Sequence, residues 1–203
     1  ALGSDTGGSV RNPASCCGIV GIKPTYGRVS RRGVIPLSFS LDNVGPLTRT
    51  VEDSALILSI IAGHDPADPA SASRPIDDYF KELKDGVRGL KIGLIRHFYN
   101  EDMIADAEMV ESIESAAKLL SSLGAEVKEI RLPNLEQYSA CSRIIMLSEA
   151  YAIHQKDLKL KPDSYSASSR RRILPGAFFS AADYVNATRK RTQLIDAFHD
   201  AMT

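Results

Sequence analysis

Apolar and polar positions divide the 203 residues into stretches of different period. From Thr50 the chain reads as a helix. Thr50-Val51-Glu52-Asp53 has the form of a capping box, and apolar residues recur at Val51, Ala55, Leu58 and Ala62 before Gly63 stops the run. A second helical stripe, Val110, Ile113, Ala117 and Leu120, runs to Gly124 between two extended stretches. "GLKIGLI" (89–95) is a short, nearly continuous apolar run, as expected of a strand covered on both faces, and "AEVKEIRL" (125–132) is stopped by Pro133. Strand, helix, strand at this spacing predicts a βαβ unit with parallel pairing and a right-handed crossover. From Leu135 the pattern is helical, with breaks near Lys161-Pro162 and Leu174-Pro175-Gly176. Ser180 is the expected N-cap of a last helix running to the final residues.

Two regions lack a period. Residues 1–49 are punctuated by Gly, Pro, Ser and Arg around short apolar stretches such as "GIVGIKPT", which predicts many tight turns. "HDPADPASASRPIDDY" (64–79) reads as an exposed connection over the surface. No internal repeat or low-complexity tract is visible. The expected fold class is α/β, a mixed sheet layered by helices on both faces, with length enough for a sizeable core.

Composition narrows the function. Lys and Arg number 25 and Asp and Glu number 25, so no field of one sign steers the chain towards nucleic acid or an anionic membrane. No apolar run approaches the ~18 to 20 residues that span a bilayer and no charged-then-apolar leader opens the chain, so a cytosolic location is expected. Cys16, Cys17 and Cys141, an odd count with two neighbours, read as reduced thiols. No His or Cys pair has zinc-ligand spacing.

The densest candidate chemistry is "GSDTGGSV", Gly3 to Val10. Successive glycines let backbone N–H groups converge on one point, a small anion-binding concavity, and in front of a serine that is where the oxyanion of an attacked carbonyl would sit. Thr6, Gly7, Gly8 and Ser9 can supply the donors. Alone, the octapeptide is compatible with a flexible turn, an acyl site or a phosphate loop, although a P-loop needs Gly-Lys-Ser/Thr at its end and here Ser9 and Val10 follow Gly8.

The wider stretch is more specific. GSDTGGS-x-R-x-P, G-x-x-G-x-KPT-x-G, S-x-D-x-x-GP and R-x-V-x-D follow one another from Gly3 to about Asp65, and this run closely resembles the signature region of the amidase signature family, serine hydrolases that cleave carboxamides. The resemblance implies a triad of a serine, a serine on a cis peptide bond, and a lysine. Ser9 matches the nucleophile and Thr6 to Ser9 the oxyanion loop; the cis-serine and the lysine precede this motif in the family, so residues 1–203 are expected to hold one triad member of three. A desolvated neutral lysine acts there as base through the intermediate serine. The expected organisation is part of one amidase signature domain: residues 1–65 the signature region, 66–88 a surface connection, 89–133 the βαβ unit and 134–203 a helical region.

The resemblance also implies a small-molecule amide as partner, no metal or organic cofactor, no nucleic acid and no membrane, with a homodimer left open. A second reading is the glutamine-hydrolysing A subunit of an aminoacyl-tRNA amidotransferase, whose early stretch looks very similar. That subunit carries a Tyr-Asp-Gly-x-Arg type stretch where this chain has "HQKDLKLKPDSYSASSRRR", a departure that favours a stand-alone amidase. A third is a non-catalytic scaffold of the same fold.

Neighbouring residues have plainer readings. Asp5 and Arg11 are expected to be structural, the carboxylate accepting loop N–H groups and the guanidinium spanning carbonyls or Asp5 itself. Asn12 either faces the acyl pocket or bonds its own backbone, and Asp42 is expected to anchor a loop near the site. Cys16 and Cys17 are read as small buried apolar groups. Lys23, in a strand-like setting before Pro24, is read as structural. His64, His97, His154 and His199 are read as surface groups, and Arg170, Arg171 and Arg172 as a solvated helix face. Tyr165, Phe178 and Phe179 are read as helix-packing aromatics rather than pocket walls.

Overall fold

A computed structural model describes residues 1–202. The chain forms two compact units, one made of Ala1–Lys84 and Met146–Phe179, the other of Asp85–Ile145 with the segment from Ser180. Helix α4, Leu135–Leu160, contributes its early residues to the second unit and its later ones to the first.

In the first unit, strands β1 (Leu2–Asp5), β2 (Val20–Gly21) and β3 (Asn43–Thr48) make an antiparallel sheet in the order β1-β3-β2, with Asp5 opposite Asn43 and Gly21 opposite Leu47. Between β1 and β2 lies the short helix α1, Arg11–Cys16. Helix α2, Val51–Ile61, is capped as its pattern predicts: the Thr50 hydroxyl accepts from the Asp53 N–H at 3.1 Å. It buries Ala55, and its Leu58, with Ala62 beyond its end, clusters with Val29, while Val51 is exposed. A second cluster gathers Ala150, Leu158 and Ile173 with Leu37, Tyr151 and Tyr165, so Tyr165 packs helices as expected. Ile173 closes α5, Ala167–Ile173, whose last turn carries Arg170, Arg171 and Arg172; the last two are exposed.

The 64–79 connection is largely exposed, as its composition predicts, but it is pinned at two points. Asp68 and Ser71 are buried, because Asp68 accepts from the Arg31 backbone N–H at 2.8 Å and Arg28 reaches Pro75 O, Asp77 and Tyr79. Gly27 also lies against this segment. A β-carbon there would meet Ala70 O at 2.4 Å.

In the second unit, β4 (Lys91–Leu94) and β5 (Glu126–Glu129) pair in parallel across α3, Ala107–Ser122, in agreement with the predicted βαβ order. β4 is not covered on both faces. Its Ile92, Gly93 and Leu94 are half-buried and its Lys91 is exposed. α4 and α6 (Ala181–Met202) bury Cys141, Ala187 and Leu194, and the Cys141 thiol donates to Ala187 O at 3.1 Å. α6 begins where predicted, with a reciprocal cap: Ser180 Oγ accepts from the Asp183 N–H at 3.1 Å while Asp183 accepts from the Ser180 N–H at 2.8 Å.

Candidate active site

The loop that carries Ser9 is a strand-to-helix turn. β1 ends at Asp5, residues 6–10 bend, and α1 starts at Arg11, with the Asn12 N–H donating to Gly8 O at 2.7 Å. Val10 is fully buried beneath the turn, which leaves Ser9 exposed above it. The chain reverses at Gly8, whose φ of +124° is a conformation that side chains of L-residues rarely adopt.

Asp5 organises this turn from below. Its carboxylate is buried and accepts the N–H groups of Gly8 at 2.6 Å, Val10 at 3.3 Å and Arg11 at 3.2 Å, and is clamped by the Arg11 guanidinium through Nε at 2.9 Å and Nη2 at 3.0 Å. Burial alone would raise its pKa. The Arg11 guanidinium and the Gly8 and Arg11 N–H groups overcome that and hold it at about 2, while the carboxylate raises Arg11 in turn. The Gly8 N–H is committed to Asp5, which leaves those of Thr6, Gly7 and Ser9 as the candidate donors of this loop.

Thr6 is buried on the other side. Its hydroxyl donates to Asp42 Oδ1 at 2.5 Å, and Asp42 Oδ2 accepts from the Leu37 and Ser38 N–H groups at 2.8 and 2.9 Å. Asp42 thus anchors the 36–42 segment to the loop that carries Ser9. Two buried carboxylates, one at the end of β1 and one beside the start of β3, hold the loop from opposite ends.

Other expectations fare differently. Asn12 is exposed on α1. Cys16 and Cys17 are exposed rather than buried, because α1 is short and presents its C-terminal end to solvent. Phe178, at 88% exposure, packs against nothing that covers it, whereas Phe179 is half-buried. Among the histidines His97 departs most from a surface role. It is 2% exposed, its Nε2 lies 3.1 Å from Leu132 O, and its ring meets Phe98 edge-on. His154 is half-buried between Tyr165 Oη at 3.0 Å and Pro36 O at 2.9 Å.

The family model described as Amidase matches residues 1–203. The chain belongs to the amidase signature family. It is 45% identical to an amidase of Pseudomonas putida, covering 95% of this chain and 41% of that protein. It is 41% identical to the A subunit of a glutamyl-tRNA(Gln) amidotransferase from Geobacter sp. strain M21, covering 98% of this chain and 46% of that protein. Among solved structures it superposes with a TM-score of 0.89 and 35% identity on a chain of a vestigial complex tied to the evolutionary origins of an s-triazine catabolic enzyme, over 98% of this chain and 42% of the other. The chain spans less than half the length of these relatives. The mixed α/β architecture is therefore that of amidase signature enzymes over nearly the whole chain. Among the described residues no helix is long and apolar enough to cross a membrane.

Proposed function

We propose that the whole protein, acting in the cytoplasm, hydrolyses a carboxamide to a carboxylate and ammonia through an acyl-enzyme on Ser9. The observation that carries this reading is the turn itself: Ser9 stands exposed on a glycine-rich bend that Asp5 holds through the Gly8 N–H and Asp42 through the Thr6 hydroxyl. Ser9 Oγ attacks the carbonyl carbon as its proton passes through the cis-serine to the neutral lysine. Both groups are supplied, on the family resemblance, from outside residues 1–203. Thr6, Gly7 and Ser9 donate to the oxyanion, each such donor being worth roughly 3 to 4 kcal/mol in the transition state. Collapse breaks the C–N bond, the lysine proton leaves with ammonia, and water then attacks the ester by the same route in reverse. Asp5, Arg11 and Asn12 support the loop and do not touch the reacting atoms.

The second reading is the glutamine-hydrolysing component of an amidotransferase, favoured by the 41% identity to such a protein over 98% of the chain. The two readings differ in the amide. A stand-alone amidase releases ammonia from simple alkyl or aryl amides without other proteins, whereas the amidotransferase component works on glutamine within a complex.

The test uses the complete protein. Ser9→Ala should abolish amide turnover and labelling by a fluorophosphonate while leaving the thermal midpoint unchanged, and the 203-residue chain alone should neither turn over amides nor label at the full rate. Full activity in Ser9→Ala would remove Ser9 from the mechanism.

A further inference from the structure

Glu149, on α4, is buried in the unit that carries the nucleophile loop, and no step of the proposed reaction uses it. Its Oε2 accepts from the Ser38 hydroxyl at 2.5 Å and from the Ser40 N–H at 3.0 Å, and its Oε1 accepts from the Ser40 hydroxyl at 2.8 Å. Ser38 is fully buried, and its own N–H donates to Asp42. Asp42 in turn takes the Thr6 hydroxyl. A continuous hydrogen-bonded path therefore runs from α4 through the 38–42 segment to the Thr6 hydroxyl, at the start of the loop that carries Ser9.

Other contacts keep α4 and this segment in register. His154 Nε2 lies 2.9 Å from Pro36 O, and Leu37 packs with Ala150, Leu158 and Ile173. Met146, on the same helix, lies against the loop directly, since a β-carbon on Gly7 would sit 4.0 Å from its Sδ. Buried polar groups are costly unless paired, so removing the Glu149 carboxyl strands the Ser38 hydroxyl and lets the segment relax towards other acceptors. Asp42 moves with it, and Thr6 follows.

We propose that Glu149 is a positioning residue for the nucleophile loop, acting through Ser38, Ser40 and Asp42 on Thr6 to set the direction of the oxyanion donors without touching substrate. The inference rests on the reading of Ser9 as the nucleophile. A donor array displaced by ~1 Å loses transition-state stabilisation of about 100-fold while ground-state binding is little altered.

The experiment compares the complete wild-type protein with Glu149→Ala, Glu149→Gln and Ser40→Ala. It measures kcat, KM, the rate of fluorophosphonate labelling at Ser9 and the thermal midpoint. Glu149→Ala should lower kcat and labelling by roughly 10- to 100-fold with KM within about twofold. Glu149→Gln, which keeps acceptor capacity at one position only, should fall between it and wild type. Ser40→Ala removes a single donor and keeps the buried carboxyl, so it should fold and shift labelling in the same direction by less; it decides the matter together with Glu149→Gln if Glu149→Ala does not fold. Wild-type labelling rates in both milder variants would overturn the proposal, as would losses confined to the thermal midpoint or to KM. Absence of Ser9 labelling in the wild-type protein would instead overturn the nucleophile reading itself.

Discussion

Arg11 grips Asp5 at two points, Nε on Oδ2 at 2.9 Å and Nη2 on Oδ1 at 3.0 Å, while the Arg11 backbone N–H binds the same carboxylate at 3.2 Å. One residue thus closes the turn with both its main chain and its side chain, six positions after the acid it holds. The fork geometry of a guanidinium suits this, and a lysine at the position could not reproduce it. The pair sits at the base of the Ser9 turn and, on the proposed mechanism, supports Ser9 without touching the reacting atoms.

The depressed carboxyl makes stability depend on acid. Asp5 titrates at about 2 in the folded chain against its ordinary 3.8, so its contribution is fully present above about pH 4 and is lost as pH falls through about 2. With the Arg11 side chain half exposed, that contribution is about 1 to 2 kcal/mol after screening. Asp5→Asn should lose this amount at neutral pH and flatten the stability profile between pH 4 and 2 in denaturant titrations. Glu114, held down to about 2 by Arg96 and Tyr99, titrates in the same window in both proteins and cancels in the comparison. An unchanged profile in Asp5→Asn would separate the pair from the acid response.

Gly8 and Gly7 make a matched pair of substitutions. At Gly8 the obstacle is the backbone, because a β-carbon would meet only Asn12 Cβ at 3.9 Å but φ is +124°. Gly8→Ala should cost about 1 to 2 kcal/mol of stability and lower kcat far more than it alters KM, since the bend that aims the donors would relax. Gly7 has no positive φ and only Met146 Sδ, at 4.0 Å, near the added carbon, so Gly7→Ala should keep its thermal midpoint. Equal loss of stability in both would show that space rather than backbone geometry limits this loop.

What could be read from the chain was local. The caps at Thr50 and Ser180 are set by residues three positions apart, the parallel pairing of β4 with β5 follows from the strand–helix–strand order around α3, and the glycine spacing before Ser9 marks the turn. Contacts between distant stretches leave no such trace. Glu149 meets Ser38 across 111 positions and Arg28 meets Asp77 across 49, so nothing in either neighbourhood announces the partner. His97 looks like a residue beside a loop, yet it is buried, with its Nε2 3.1 Å from the carbonyl oxygen of Leu132. The commitment of the Gly8 N–H to Asp5 was hidden for a subtler reason: glycine spacing shows that donors converge, not which of them an internal carboxylate takes.

The reciprocal cap at Ser180 gives a measurement confined to the second unit. Ser180→Ala removes the acceptor for the Asp183 N–H and the donor to Asp183 Oδ2, and should cost about 1 kcal/mol in denaturant unfolding. Labelling at Ser9 should be unaffected. A change in labelling equal to that of Gly8→Ala would mean the first turn of α6 reaches the site.

Gly45 tests how the sheet supports the site. It faces Gly3 across β1 and β3, and a β-carbon there would lie 1.9 Å from Ile22 O and 3.2 Å from Pro24 Cδ. The first obstacle is backbone, so no rotamer change relieves it. The strands must part, which strains the Ile22 N–H bond to Pro46 O at 3.1 Å and the pairing of Gly21 with Leu47. β1 ends at Asp5 and β3 starts one residue after Asp42, so that displacement moves both carboxylates that hold the loop. Gly45→Ala should therefore destabilise by about 3 kcal/mol or more and slow Ser9 labelling in whatever folded protein remains. A wild-type midpoint with wild-type labelling would mean that the β2–β3 contact yields freely and that the sheet does not set the position of Asp5 and Asp42.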